Sequence, residues 1–350
     1  MHEFIVSKRA AGQRAATFLK KELPNAGSGF IYKMLRKKNI TLNDKKSDGN
    51  EVLVEGDSLK VYFSDETFAK FSGKSIENFG EYSGEKSSPK SSEKSSHKSG
   101  DGDLQKGSTI SNFDLKNCII YEDDDILAIN KPADMLSQKA NKNDVSLTEY
   151  IREYLNEKYG ESEGFKAGVC NRLDRNTSGV IVAGKSVYGL QRMNEAFGER
   201  LLEKHYLCMV QGEMIEKISS EALIYKDRNH NTATVYLNPT SVKEGSSRIS
   251  TEFSPVKCAE YKGKTYTLLD VTLHTGKSHQ IRAHLKALGF PVVGDSKYGT
   301  KELYKIFKKD FSLTSQFLHA YRLKFSNESK VPEKYRGLEI VAELPQNFKK

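Results

Sequence analysis

The chain has 350 residues, 37% of them apolar and 29% charged, the composition of a soluble globular protein with room for two domains. A formal charge of +9, from 55 Lys and Arg against 46 Asp and Glu, favours a polyanionic partner such as nucleic acid. No apolar run nears the ~20 residues that cross a bilayer, and no basic-then-apolar leader follows Met1-His2-Glu3-Phe4. The cysteines Cys118, Cys170, Cys208 and Cys258 are scattered, which speaks against a disulfide scaffold or a cysteine zinc site. The expectation is a cytoplasmic protein with no membrane partner.

Residues 1–67 read as helix, helix, hairpin. A first helix over Gln13–Glu22 is stopped by Pro24, and Ser28 is placed to cap a second over Gly29–Lys38. Phe30, Ile31, Met34 and Leu35 form its apolar stripe. Ile40–Asn43, a turn at Asp44-Lys45, Val52–Val54 and Leu59–Tyr62 supply strands. Residues 1–70 carry 13 basic and 9 acidic side chains, with the excess on the second helix (Lys33, Arg36, Lys37, Lys38). Such a face suits the phosphates of structured RNA, which is recognised largely by shape. Residues 68–112 follow, with an imperfect four-residue Lys-Ser-Ser repeat and too little apolar surface to offset the entropy of ordering. They are expected to be a disordered Ser/Lys-rich linker.

From 113 to 350 strand and helix patterns alternate at the size of one domain. Strands are expected at Cys118–Tyr121, Ile126–Ile129, Val180–Ala183, Tyr206–Gln211 and Thr267–Leu273, and a helix at Tyr188–Leu202. Ser278 is placed to cap a helix with Ile281, Leu285 and Leu288 inward, ended by Gly289 and Pro291. Between the second and third strands lies Asn171-Arg172-Leu173-Asp174-Arg175-Asn176-Thr177-Ser178-Gly179. It holds one carboxylate between two guanidinium groups, which favour its charged form, on a loop at the rim of a sheet.

Two rival readings carry little weight. Gly179–Ser186 fits the phosphate-loop spacing Gly-x-x-x-x-Gly-Lys-Ser, but its interior, Val-Ile-Val-Ala, is that of a buried strand. His274, His279 and His284 stand five apart, so on a helix each would lie about 140° from the last and share no metal-binding face.

The N-terminal run through Gln13-Arg14, Phe18-Leu19, Leu23-Pro24, Leu35-Arg36, Ile40–Asn43 and Glu55-Gly56-Asp57 resembles the α-L RNA-binding motif, with Asn39 where a glycine is common. On that resemblance Arg14, Lys33, Arg36 and Lys37 are RNA-binding candidates. The larger segment resembles the RluA-type pseudouridine synthases, which isomerise uridines in RNA. The resemblance rests on Ile129-Asn-Lys-Pro132, Asn171–Gly179, Lys204-His-Tyr206, Thr275–His284, Gly289–Gly299 and Leu318-His-Ala320. It implies an α+β catalytic domain around a large mixed, mainly antiparallel sheet flanked by helices. It also implies roles: Asp174 as the catalytic aspartate, Arg282 as its partner, and Tyr206 stacked on the target base. Arg172 would enter the RNA stack. Departures are Asn171 in place of a histidine and Asp134 in place of a glycine. The implied substrate is large-subunit ribosomal RNA (23S or its precursor), acted on by a monomer without metal or cofactor. The alternative is a catalytically inactive RNA-binding protein acting on rRNA.

Overall fold

The computed structural model describes residues 1–73, 113–160, 164–238 and 242–349. The chain divides into two compact units, one of residues 1–109 and 161–166, the other of 110–160 and 167–350.

The smaller unit runs β1 (His2–Ile5), α1 (Ala15–Glu22), α2 (Ser28–Arg36), β2 (Ile40–Leu42), β3 (Lys45–Lys46), β4 (Ser58–Val61) and α3 (Asp65–Ser72). Its sheet has the antiparallel order β1-β4-β2-β3. Ala15, Phe18 and Leu19 of α1 and Ile31, Met34 and Leu35 of α2 are buried, the two apolar stripes that helical spacing dictates. Ser28 is not the cap expected of it. Gly27 takes that place, and the Ser28 hydroxyl accepts from Lys20 Nζ at 3.3 Å. Val52–Val54 forms no strand: Leu53 is anchored through its backbone to Gly12 and Gln13, and Val52 makes only an isolated bridge to Arg14.

The expected linker start at residue 68 is corrected. Residues 65–72 are helical because Ser64 caps the Thr67 amide and Phe68 is 3% exposed. Phe71 also meets Phe30 with ring centroids 4.4 Å apart, and Gly73 ends the helix in the left-handed region. The rest of the expected linker, 74–112, lies outside the described residues. A second correction falls inside 113–350. Gly164 belongs to the smaller unit, its N–H donating to Glu22 Oε1 (2.6 Å) and its carbonyl accepting from Gln13 Nε2 (2.8 Å).

The larger unit runs β5 (Ile119–Glu122), β6 (Ile126–Lys131), α4 (Leu147–Tyr159), β7 (Gly168–Val169), β8 (Ser178–Gly184), α5 (Val187–Gly198) and β9 (Leu202–Gln211). It continues with β10 (Ile218–Asp227), β11 (Thr232–Tyr236), β12 (Ser247–Tyr261), β13 (Lys264–Leu273), α6 (Gln280–Ala287), α7 (Lys301–Phe311), β14 (Leu318–Phe325) and β15 (Glu339–Val341). One sheet joins them in the order β11-β10-β12-β13-β9-β14-β8-β6-β5, with β15 on β14 and β7 on β8. Every pairing is antiparallel except β14 with β8, so the α+β fold with a mixed, mainly antiparallel sheet is as expected. The helix expected over Tyr188–Leu202 stops at Gly198, and Leu202 already opens β9. All seven residues of β8 are buried, as a central strand requires. Gly179 (φ +118) lets β14 run alongside, since a Cβ there would sit 2.2 Å from the Ala320 carbonyl oxygen.

Candidate active site

The loop from Asn171 to Thr177 is built by ties to the strands on either side. Asn171 donates to the Val180 carbonyl (3.1 Å) and accepts from the Val182 amide (2.8 Å), which pins the loop's start against β8. The asparagine that departs from the family pattern thus has a structural task. Ser137 Oγ bonds both the amide and the carbonyl of Leu173 (3.1 and 2.9 Å). The Thr177 amide donates to the Asp174 carbonyl at 3.0 Å and closes the turn.

Lys131, at the end of β6, is fully buried beneath this loop. Its Nζ donates to the carbonyls of Pro132, Met135 and Arg175 at 2.8, 2.9 and 3.1 Å. Burial pushes its amine down to about 7, opposed by the charges of Asp174 and Asp134. Asp134, the other departure, adopts the left-handed conformation that glycine favours (φ 62) and accepts from Arg175 Nε at 2.8 Å.

Across the cavity, α6 carries Arg282 on its inward stripe. Arg282 is 6% exposed, so it is not a surface arginine. Its Nη1 donates to Asp174 Oδ2 at 2.8 Å, while Nε and Nη2 grip the two oxygens of Asp295 at 2.6 and 2.9 Å. Asp295 is itself held by the amides of Lys297 and Tyr298 (2.9 and 3.0 Å). Burial works against the charge on Arg282, but the hydrogen bond and charge of Asp295, joined by Asp174, raise its pKa well above the ordinary value. Burial likewise opposes the Asp295 charge, and Arg282 more than offsets it, holding that carboxyl below the usual range. The guanidinium is thereby fixed as a cation aimed at Asp174.

Asp174, Tyr206 and Arg282 line one cavity of about 950 Å³ together with Arg172. Tyr206 projects from β9 and is 8% exposed; burial, then the negative charge of Asp174, raises its hydroxyl pKa. The cavity's charge is lopsided. Among the described residues ten Lys and Arg side chains line it, Arg172, Arg200, Lys204, Lys226, Arg248, Lys277 and Lys297 included, and Asp174 is the only acid. Such a cleft attracts a polyanion and presents it with one carboxylate. Arg14, Lys33, Arg36 and Lys37 belong to the other unit, where all four are exposed; Arg14 donates to Asn50 Oδ1 at 3.2 Å.

Lys131, Asp295 and Tyr298 carry no expected role in the sequence, and His279 enters it only as a rejected metal ligand. Lys131 and Asp295 stand in quoted motifs, Asn-Lys-Pro and Gly-Asp-Ser, which was the available signal. The phosphate-loop reading fails here: Gly179–Gly184 lies within β8, and Lys185 Nζ is bound to Glu122 and the Asp123 carbonyl at 2.5 and 2.6 Å.

A mixed sheet with a cationic cleft around one arginine-held carboxylate suits a protein that brings a polyanion to a single acid group. Residues 125–287 match the family model described as RNA pseudouridylate synthase. Ribosomal large subunit pseudouridine synthase C of Rickettsia felis is 29% identical over 337 residues, covering 96% of this chain and 94% of that protein. The protein of the same name in Buchnera aphidicola is 28% identical, covering 99% and 95%. The solved structure of human RNA pseudouridylate synthase domain containing 4 shares the fold at TM-score 0.53 and 20% identity, covering 67% of this chain and 91% of that one. These matches support an RluA-type pseudouridine synthase, an isomerase acting on RNA.

Proposed function

We propose that the protein converts uridine to pseudouridine in large-subunit ribosomal RNA, with Asp174 as the catalytic carboxylate. The observation that carries this is the 2.8 Å pair of Asp174 with a buried Arg282, in a cationic cavity that also holds Tyr206. The rRNA target draws support from the names of the relatives, which match along nearly their full length.

The reaction breaks a base–sugar bond through nitrogen and remakes it through carbon. It needs no redox partner and no hydrolytic water, so no cofactor or metal enters the proposal. The target base must leave its stack, at a cost of about a few kcal/mol, and stacking on the Tyr206 ring offsets part of this. Arg172, exposed at the cavity rim, is suited to fill the vacated place in the RNA. Asp174 acts on the extruded nucleotide as nucleophile or as the group that removes a proton. Arg282 orients it through a charge-assisted pair. In the smaller unit Arg14, Lys33, Arg36 and Lys37 hold RNA phosphates. The reaction asks for one copy of the chain, acting in the cytoplasm.

Asp174→Asn tests this reading with an rRNA fragment, by pseudouridine mapping and by filter binding. Turnover should fall by at least about 10³-fold, as for loss of a covalent or proton-transfer group, with RNA affinity changed little. Wild-type turnover by this variant would leave the protein as an RNA binder whose carboxylate does no chemistry.

A further inference from the structure

A second side chain faces the Asp174 carboxylate, at the start of α6. His279 is the N-cap residue of that helix, held in the left-handed region at φ 58, and its ring is directed into the cavity. A histidine in that backbone conformation is uncommon and tends to mark a functional position. Its Nε2 lies 4.0 Å from Asp174 Oδ2, and the side chain is 11% exposed.

The hydrogen bonds on the far side of the ring decide where its proton sits. Nδ1 is 2.8 Å from the Tyr298 hydroxyl. Tyr298 is 4% exposed, and its oxygen already accepts the Ala233 amide at 2.7 Å. Donation of the phenolic hydrogen to Nδ1 completes the hydroxyl's bonding, one bond accepted and one given, and makes Nδ1 the acceptor. In a neutral ring the proton then belongs to Nε2, facing Asp174. The ring is neutral near pH 7. Burial lowers its pKa, Asp174 opposes the shift, and Arg282, Lys297 and Lys226, which face it from α6, the loop after α6 and β10, add to it.

A separation of 4.0 Å is too long for a hydrogen bond, so the N–H is unspent on the carboxylate. We propose that His279 is a catalytic hydrogen-bond donor whose Nε2–H binds an oxygen of the target nucleotide beside Asp174, with Tyr298 and the Ala233 amide locking the tautomer. The proposal rests on the assignment of Asp174 above.

Side-chain geometry supplies the test. The amide nitrogen of glutamine reaches the place of Nε2, whereas that of asparagine reaches only the place of Nδ1. At saturating rRNA fragment, the single-turnover rate of His279→Asn should fall on the order of 10²-fold, the loss typical of one preorganised donor. His279→Gln should recover at least about tenfold of that, with RNA affinity constant, since phosphate contacts dominate binding. Tyr298→Phe should cost roughly tenfold by freeing the tautomer. In wild type, activity should decline with falling pH once His279, whose pKa burial holds below that of a free imidazole, takes a second proton, and His279→Gln should move that decline to lower pH. Equal rates for the Asn and Gln variants, or an unshifted acid limb in His279→Gln, overturn the proposal. An unchanged rate for Tyr298→Phe overturns it too, without touching the histidine. Asp174→Asn in the same assay separates the two levels: a dead Asp174→Asn beside unaffected His279 variants leaves the parent reading standing and removes this one.

Discussion

Arg282 does with one guanidinium what two cations would otherwise be needed for: it anchors on buried Asp295 through two parallel bonds and spends its remaining nitrogen on Asp174. Lysine, a point charge, could not span both carboxylates. Asp295 is thus the residue that positions the Arg282–Asp174 pair, and Asp295→Asn strips a buried cation of its main counter-charge. Breaking such a pair costs on the order of 3–5 kcal/mol of stability. Because small misplacements of a reacting group cost up to about 10²-fold, turnover should fall at least tenfold even where the variant is folded. Urea unfolding and single-turnover rates check both, and a variant with wild-type values in each would make Asp295 a bystander. At this scale the sequence was most legible where function is local. Asp174 and Arg282 sit in dense motifs, but the link through Asp295 closes only when the chain returns after α6. The inward turn of Lys131 onto three carbonyls is set by burial, which no spacing reveals.

Among elements, those with strong periodicity or an unbroken apolar run were readable, as β8 and α6 show, and those whose partners lie far off in sequence were not. Strand β1 has only four residues and gains its identity by pairing with β4. Helix α4 was overlooked although its signals are explicit: a Ser146–Glu149 capping box and buried Leu147, Ile151 and Leu155 at helical spacing. Its last turns bind Glu122 of β5 through Tyr154 (2.8 Å) and Lys158 (2.9 Å), while Lys185, after β8, takes the other oxygen at 2.5 Å. Burial works against the Glu122 charge, but Lys185, Lys158 and Tyr154 outweigh it and pull its carboxyl down to about 2. A carboxylate with a depressed folded pKa contributes stability above its unfolded value, near 4.5, and loses it as pH falls toward 2. Glu122→Gln should therefore lower the melting midpoint at pH 7 by roughly 2–4 °C. The gap to wild type should close as the pH approaches 2. A gap that stays constant with pH would assign the loss to packing rather than charge.

For the molecule as a whole, the excess of basic over acidic residues is not spread evenly. It gathers in the cavity of the larger unit, where ten cations surround one carboxylate, and on α2 of the smaller one. The sequence leads one to expect a small helical-hairpin unit and a larger sheet unit. It misjudged the edge because Phe68 and Phe71, the residues that make α3 part of the core, sit at the border of a Ser/Lys-rich stretch whose composition dominates any window. The two charged regions have different tasks under the proposed function, and they can be separated by salt. Lys33, Arg36 and Lys37 lie on the exposed face of α2 or at its end, away from the buried stripe of Ile31, Met34 and Leu35. Replacing all three with alanine should leave the fold intact. If each neutralises one phosphate, the slope of log affinity against log salt should become shallower by about 2–3, since each contact releases ~0.7–0.9 counterion. The single-turnover rate at saturating RNA should stay within about twofold of wild type, because uniform binding energy moves affinity and not the chemical step. Filter binding from low to moderate salt, paired with rates on the same rRNA fragment, measures both. An unchanged slope would show that this face touches no phosphate, and a fallen rate would show that the smaller unit helps to set the reacting geometry as well as to hold RNA.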